Sequence, residues 1–138
     1  VQAALPETDI LIKAAAVADY RPATVSEHKM KKSDGELSIP LSRTEDILHW
    51  VSEHRHPGLF VCGFSMETRD LLENSRAKLE RKHLDMIAAN SLNTQGAGFG
   101  VPTNVVTLLT PDGAEQLPLL GKDEVAARLL DAIEERRK

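Results

Sequence analysis

Cysteine is almost absent from this 138-residue sequence, which contains only Cys62. A single cysteine excludes an internal disulfide and is typical of a reducing compartment, so we expect a cytoplasmic protein. The sequence also lacks a signal-peptide pattern and any apolar run long enough to cross a membrane. It has neither a Ser/His/Asp signature nor a Cys/His spacing typical of a metal site. We therefore expect no membrane association, no catalytic triad and no cysteine-ligated metal.

An excess of basic residues is absent too, since 17 Lys and Arg face 21 Asp and Glu, giving a formal net charge of -4. This balance argues against a general nucleic-acid-binding protein, so an anion site would require a local cluster of lysines. Hydrophobic residues make up 41% and charged residues 28% of the chain, which is ordinary for a globular protein.

Glycine does not occur before Gly35, and the chain opens on VQAALPETD without an initiator methionine. The stretch Val1–Leu5 is typical of the last turn of a helix, closed by Pro6. We therefore expect residues 1–138 to form a single incomplete domain whose N-terminal part is missing.

Apolar and amphipathic stretches alternate along the chain. Three apolar runs predict buried strands, at Asp9–Val17, Leu59–Phe64 and Met86–Ala89. Lys13 interrupts the first run, and the pattern offers no explanation for it. Three amphipathic stretches predict helices, at Ile47–His54, at Ser65–His83 and from about Asp123, the last with Val125, Leu129, Leu130 and Ile133 on its inner face. The alternation predicts a Rossmann-like α/β fold, with a mostly parallel sheet flanked by helices.

Turn residues predict two smaller antiparallel features. Val105–Thr110 and Ala114–Leu119 flank Pro111-Asp112-Gly113 and predict a β-hairpin appended to the sheet. Ser33-Asp34-Gly35 is typical of a turn, and Glu36–Leu41 alternates as an exposed strand does, so Lys29–Ser42 could form a hairpin arm. Ser42-x-x-Glu45 is typical of a capping box at the start of a helix.

The first apolar run ends in Ala14, Ala15 and Ala16, which Asp19 follows closely. Small side chains at the end of a buried strand let a flat ligand approach the backbone, at the edge where an α/β sheet usually binds ligands. Asn90 also follows an apolar strand, and Phe64 follows Gly63 where its ring could stack on a nucleobase or ribose. The alternatives are a strand followed by a polar loop, and an ordinary core aromatic at Phe64.

The helix predicted at Ser65–His83 carries Lys78 and Lys82 at the border of its apolar face, at about 100° per residue. Four other charged side chains point the opposite way, at Arg69, Glu73, Arg76 and Glu80. Two like charges four residues apart repel, which a polyanion such as a triphosphate would relieve. The alternative is that both lysines extend along the apolar face and reach water at their tips.

Three further features have simpler interpretations. Gly96-x-Gly98-x-Gly100 looks like a nucleotide fingerprint, but no strand leads into it and Pro102 follows, so we expect a loop. His54-Arg55-His56 stands at a helix end, where solvated side chains are expected rather than a metal site. Cys62 lies inside a predicted strand and is interpreted as a buried small side chain.

Several segments together resemble the phosphopantothenate–cysteine ligase family: AAAVADYRP at 14–22, KMKK at 29–32, TEDI at 44–47, GFSMET at 63–68, Lys78 with Lys82, and AAN at 88–90. The resemblance is to the C-terminal part of the bacterial bifunctional flavoprotein that also carries phosphopantothenoylcysteine decarboxylase. It implies CTP- and Mg²⁺-dependent joining of 4'-phosphopantothenate to L-cysteine in coenzyme A biosynthesis, through an acyl-cytidylate. It also implies a homodimer fused to the decarboxylase, whose FMN binds in the part not present here.

The resemblance implies CTP-binding positions at Asp19, Lys29, Thr44, Glu45, Asp46, Ile47, Phe64, Lys78 and Lys82. Among these, Lys29 is the implied catalytic residue and Asp19 the candidate for contact with Mg²⁺ through Mg-CTP. The strand-end backbone at Ala14, Ala15 and Ala16 could pair with the cytosine edge. Lysines would neutralise the triphosphate and the leaving pyrophosphate.

The sequence departs from the family at three places. Thr44-Glu45 stands where the family often has Asn-Pro, and Asn90-Ser91 where it often has Asn-Asp. The family's N-terminal Gly-rich turn, which holds the phosphopantothenate, has no counterpart here. We therefore expect an inactive fragment that carries mainly the CTP-binding part. The alternative is a non-catalytic α/β module that binds an anion or forms a dimer.

Overall fold

The computed structural model describes residues 1–31, 35–67, 69–91, 96–97 and 100–138. The strands are β1 Ile10–Lys13, β2 Tyr20–Pro22, β3 Leu41–Arg43, β4 Phe60–Glu67, β5 Met86–Ser91, β6 Thr103–Asn104, β7 Val106–Thr110, β8 Gly113–Gln116 and β9 Leu120–Gly121. The α-helices are α1 Ile47–His54, α2 Leu71–Arg81 and α3 Lys122–Arg137. None of the helices in these ranges is both long enough and apolar enough to cross a bilayer.

The central sheet has five strands in the order β1-β4-β5-β7-β8. The pairs β1–β4 and β4–β5 are parallel, whereas β5–β7 and β7–β8 are antiparallel. This arrangement confirms the predicted mainly parallel α/β sheet and the hairpin, which joins the sheet directly through β7. Two short antiparallel pairs, β2–β3 and β6–β9, lie outside the sheet.

Side chains that alternate along the strands form one hydrophobic cluster on each face of the sheet. On one face, Leu48 and Val51 of α1 and Leu79 of α2 pack with Val61 and Ile87. On the other face α3 packs against the sheet, and the residues that contribute are Phe60, Cys62, Met86, Ala88, Val106, Leu108, Val125, Leu129, Ala132 and Ile133. Leu130 is 50% exposed, so its predicted place on the inner face of α3 is wrong, and Ala132 is buried instead.

The first strand is shorter than predicted. Only Ile10–Lys13 pair with β4, and all four residues are half-buried because β1 lies at the edge of the sheet. Residues 14–18 leave the sheet and are exposed. The predicted strand at Asp9–Val17, buried on both faces, is therefore wrong in its length and in its burial.

The helix predicted to begin at Ser65 begins at Leu71, because Ser65–Glu67 extend β4 beside β5. The Ser65 hydroxyl lies 2.7 Å from the Ser75 hydroxyl, so strand and helix share a buried hydrogen bond. Asp70 precedes the helix with a positive φ of 49°, a left-handed conformation that separates the two elements.

Three predictions about the chain before α1 are corrected. Residues 36–40 are not a strand, since only Leu41–Arg43 pair, with β2. The predicted turn residues Ser33 and Asp34 lie outside the described residues. Ser42 belongs to β3 and does not cap a helix; Asp46 is the N-cap of α1, and its Oδ1 accepts from the His49 N–H at 3.1 Å. The predicted helix tail Val1–Leu5 is instead a 3-10 turn at Leu5–Glu7.

Candidate functional site

A cavity of about 560 Å³ lies at the carboxyl ends of the parallel strands β1, β4 and β5. This is the edge at which open α/β sheets usually bind ligands. Its walls come from the residues after β1, the start of α1, the second half of β4 and the inner face of α2. The lining residues are Lys13, Ala14, Ala15, Ala16, Val17, Asp19, Thr44, Glu45, Asp46, Ile47, Leu48, Phe64, Ser65, Met66, Glu67, Lys78, Arg81, Lys82 and Asn90.

The cavity brings together all but one of the sequence-predicted site residues, namely Ala14, Ala15, Ala16, Asp19, Thr44, Glu45, Asp46, Ile47, Phe64, Lys78 and Lys82. Asn90, singled out at a strand end, also lines it. Lys29 is exposed on the connection between β2 and β3 and is not among the lining residues. Its catalytic role therefore stays a prediction.

Lys78 projects inward from α2, on the face that the helical periodicity predicts. Its Nζ donates to the Phe64 carbonyl oxygen at 2.7 Å. Burial lowers the pKa of the Lys78 ammonium, and the nearby positive charge of Lys13 lowers it further. A hydrogen bond to a neutral carbonyl leaves the positive charge of Lys78 available to an anion.

Lys82 is held by an ion pair with Asp46, and its side chain is only 16% exposed. Burial raises the pKa of the Asp46 carboxyl, but hydrogen bonds from Lys82 and the His49 N–H outweigh it, so the net pKa lies below its usual value. The pair therefore joins the N-terminus of α1 to the C-terminus of α2 across the cavity.

Phe64 lies inside β4 rather than at its end, paired with Ala88. It packs against the cluster under α3, on the face opposite Lys78. It also lines a second, largely apolar cavity of about 390 Å³ between β1, β4 and α3. Phe64 therefore behaves mostly as a core aromatic residue. Its stacking on a base stays a prediction.

The segment Thr44–Ile47 is tied to the loop after β1. Thr44 Oγ1 donates to the Ala18 carbonyl oxygen at 2.5 Å, and the Thr44 N–H donates to the Asp19 carbonyl oxygen at 2.9 Å. Glu45 Oε2 accepts from Gln2 Nε2 at 3.1 Å. The two Thr44 bonds join the segment before α1 to the loop after β1, and both segments line the cavity.

Two basic residues of the cavity were not predicted as site residues, Lys13 and Arg81. A lysine that interrupts an apolar strand is the available signal for Lys13, because a charge at the end of a buried strand needs a polar surrounding. Arg81 is the last residue of α2 and gives no signal beyond its position three residues after Lys78.

The structure describes Cys62 and Arg55, two of the residues that were given simpler interpretations. Cys62 is fully buried, and burial raises the pKa of its thiol to about 12, so the interpretation as a core residue is confirmed. Arg55 is not a free solvated side chain, since it bonds to Asp85 at 2.9 Å. Gly98 lies outside the described residues. Among the residues that are described, no three His, Cys, Asp or Glu side chains group closely enough to hold a metal ion.

Residues 1–136 match the model of a protein family described as the DNA/pantothenate metabolism flavoprotein C-terminal domain. The chain is 46% identical over 127 residues to the coenzyme A biosynthesis bifunctional protein CoaBC of Bacillus subtilis strain 168, covering 91% of this chain and 31% of that protein. It is 40% identical over 136 residues to CoaBC of Vibrio vulnificus strain YJ016, covering 97% of this chain and 34% of that protein. The chain thus spans about a third of the length of these relatives.

A solved structure shows the same fold at similar sequence identity. The crystal structure of the C-terminal domain of coenzyme A biosynthesis bifunctional protein CoaBC superposes with a TM-score of 0.75 at 38% identity. The match covers 98% of this chain and 60% of that chain. The resemblance drawn from the motifs at 14–22, 29–32 and 63–68 is therefore confirmed at the level of the family.

Proposed function

Because the chain belongs to the family of DNA/pantothenate metabolism flavoprotein C-terminal domains, we propose that it is the nucleotide-binding part of a CTP-dependent phosphopantothenate–cysteine ligase. The names of the relatives support a role in coenzyme A biosynthesis. In the proposed reaction the carboxylate of 4'-phosphopantothenate attacks the α-phosphate of CTP, which releases pyrophosphate and gives an acyl-cytidylate. The amine of L-cysteine then attacks the acyl carbon and CMP leaves.

The observation that carries this proposal is the convergence of small strand-end residues and lysines on one cavity. Ala14, Ala15 and Ala16 leave the sheet exposed, so their backbone groups can pair with the edge of a planar base. Lys78 lies across the same cavity, where it would bind the triphosphate and stabilise the charge of the departing pyrophosphate. Lys29 keeps its proposed catalytic role from the exposed β2–β3 connection.

In the proposal, Mg²⁺ is bound mainly by the phosphates of the nucleotide rather than by a set of protein ligands. Asp19 offers an exposed carboxylate on the cavity wall. Because Mg²⁺ prefers a few carboxylate and phosphate oxygens and retains waters, one such side chain beside a triphosphate is a suitable contact. When bound, the metal would neutralise phosphate charge. FMN would belong to the fused decarboxylase part.

The arm formed by β2, β3 and the connection between them supports the homodimer in the proposal. Apolar side chains on and near this arm are exposed, at Tyr20 53%, Val25 91%, Met30 62%, Leu37 64%, Ile39 58% and Leu41 59%. A protein interface would cover several exposed apolar side chains that lie on one segment of the chain. A cytoplasmic location is part of the same proposal, since the lone thiol suits a reducing compartment.

Titration of the 138-residue chain with CTP–Mg²⁺ and ATP–Mg²⁺, followed by calorimetry, tests the proposal. We expect weak binding of CTP and weaker binding of ATP. The lysines would contact only the phosphates, which both nucleotides share, whereas the backbone of Ala14, Ala15 and Ala16 would pair with the base. Equal affinities, or no response to either nucleotide, would leave the non-catalytic anion-binding or dimerisation module as the better interpretation. With phosphopantothenate, cysteine and CTP supplied together, we expect no pyrophosphate release. No residue of the chain is assigned to the acid substrate, and its orientation supplies about 7–11 kcal/mol of such a barrier.

A further inference from the structure

Lys13 is the last residue of β1 and pairs with Gly63 of β4. Two residues earlier, Leu11 and Val61 form the equivalent pair and pack in the cluster under α1 and α2. Since strand side chains alternate with a period of two, the Lys13 side chain leaves the sheet on that same face. Gly63 confirms the direction, because a Cβ on it would lie 2.9 Å from Leu84 Cδ1, and Leu84 belongs to the same cluster under α1 and α2. Lys13 is therefore on the face that carries Lys78, away from α3.

The acidic side chains of the cavity are largely engaged with other partners. Asp46 pairs with Lys82, Glu45 accepts from Gln2, and Glu67 Oε2 accepts from Asn74 Nδ2 at 3.3 Å. Asp19, the remaining carboxylate, is exposed at the rim.

In the ranges that the structure describes, the ammonium groups of Lys13 and Lys78 lack such carboxylate partners. Within the described part of the chain, Lys78 donates to a carbonyl oxygen and neither ammonium is hydrogen-bonded to a carboxylate. Two like charges that share a partly buried cavity repel each other, and burial together with the Lys13 charge lowers the pKa of Lys78, although Glu67 and Asp46 oppose this. An anion with at least two negative charges would remove the repulsion.

We propose that Lys13 is a further anion-binding residue of this cavity and that it and Lys78 bind the same diphosphate group. The proposal rests on the proposed function only for the identity of the nucleotide that carries this group. Lys82 remains with Asp46 and orders the wall beside the phosphates. The ligand class assigned to the Lys13–Lys78 pair is a pyrophosphate or the β,γ-phosphates of a nucleoside triphosphate.

Calorimetric titration with pyrophosphate, at low ionic strength, tests the proposal on the 138-residue chain. Lys13→Gln should weaken pyrophosphate binding about tenfold, as the loss of one charge-assisted hydrogen bond does. Lys13→Arg should restore most of the affinity. Arg76→Gln, which removes one positive charge from the exposed face of α2, is the matched control and should stay within about twofold of the unchanged protein. Circular dichroism melting checks that each variant is folded.

The outcomes separate this proposal from the ligase function. Equal pyrophosphate affinity for Lys13→Gln and the unchanged protein would overturn it, as would a complete absence of pyrophosphate binding, even if CTP were preferred over ATP. Lys13-dependent pyrophosphate binding without any preference for CTP would support it and would instead count against the proposed nucleotide. An equal loss for Arg76→Gln would also overturn it, since general surface charge would then explain the binding.

Discussion

The parallel strands of the central sheet have partly buried charges at both their amino ends and their carboxyl ends. The charges have different partners at the two ends. At the amino ends of β4 and β5, Arg55 donates to Asp85 at 2.9 Å, to the Leu59 carbonyl oxygen at 2.6 Å and to the His83 carbonyl oxygen at 2.8 Å. Asp85 also accepts from the Val61 N–H at 2.7 Å. These charges are satisfied within the protein.

At the carboxyl ends, in contrast, Lys78 is bonded to a neutral carbonyl and lies near the like charge of Lys13. Removing one partner of a charge pair that is satisfied internally costs stability, whereas a charge without a hydrogen-bonded counter-charge can bind a ligand that supplies the missing partner. The comparison therefore separates the residues that hold this domain together from those that are available to an anion. Substitutions at three positions, Asp85, Lys78 and Asp46, test that separation.

The largest effect is expected at the amino end, from Asp85→Ala. Removing this carboxylate leaves the Arg55 guanidinium and the Val61 N–H without their acceptor. We expect a loss of about 3 kcal/mol in the free energy of unfolding, measured by urea denaturation, since breaking one half of a partly buried ion pair costs about that much. Affinity for pyrophosphate should not change in the folded fraction. Asp9→Asn is the control, because the Asp9–Arg137 pair is exposed and 3.8 Å long. If Asp9→Asn were equally costly, the assignment of stability to the Arg55–Asp85 pair would be wrong.

Lys78→Gln should show the opposite behaviour at the carboxyl end. We expect nucleoside triphosphate binding to weaken by about 2 kcal/mol in calorimetry, the value of a charge-assisted hydrogen bond. The folded state lowers the pKa of Lys78, so it disfavours the charged form at neutral pH, and removing that charge should leave the free energy of unfolding unchanged or slightly raised. If Lys78→Gln lost as much stability as Asp85→Ala and still bound the nucleotide, the assignment of Lys78 to ligand binding rather than to stability would be wrong.

The smallest effect on the free energy of unfolding is expected from substitutions of Asp46. This residue caps α1 and also lines the cavity, where it pairs with Lys82. Its folded pKa lies below the ordinary value, so its contribution to stability is present above about pH 4 and is lost as the pH falls through the folded pKa. Asp46→Ala should cost about 1 kcal/mol at neutral pH, as loss of an N-cap does. Asp46→Asn retains a capping side chain and should mainly flatten the acid limb of a stability–pH curve measured by urea denaturation. An unchanged acid limb in Asp46→Asn would show that the Lys82–Asp46 pair contributes nothing to stability.

Much of the sheet and the orientation of the lysines could be predicted from the sequence, because both depend on periodicity. Apolar runs fixed the existence of β4 and β5, and the helical period placed Lys78 and Arg76 on opposite faces of α2. The resemblance supplied the remaining site residues. The cavity gathers most of them because consecutive parallel strands bring their carboxyl ends to one edge.

The exact bounds of the strands and the role of Lys13 could not be predicted, because they depend on which strands pair. Local sequence patterns do not contain that information. Ser65 and Met66 suit a helix start or a strand, and only pairing with β5 makes them a strand. Ser42 cannot cap α1, because pairing with Arg21 places it in β3. The importance of Lys13 depends on a register that puts it beside Gly63 and on the face of α2, and the sequence shows only an interrupted apolar run.

The full burial of Cys62 in β4, an interior strand of the central sheet, has a practical consequence for these measurements. A thiol that is 0% exposed, with its pKa raised to about 12, reacts with an alkylating reagent only after β4 has opened. Since core strands exchange with solvent through the most extensive openings of a protein, the labelling rate of Cys62 should follow the free energy of global unfolding. Every variant proposed above retains this one cysteine. Brief exposure to iodoacetamide, followed by mass spectrometry, can therefore rank their stabilities without an added probe and with the ligand present or absent.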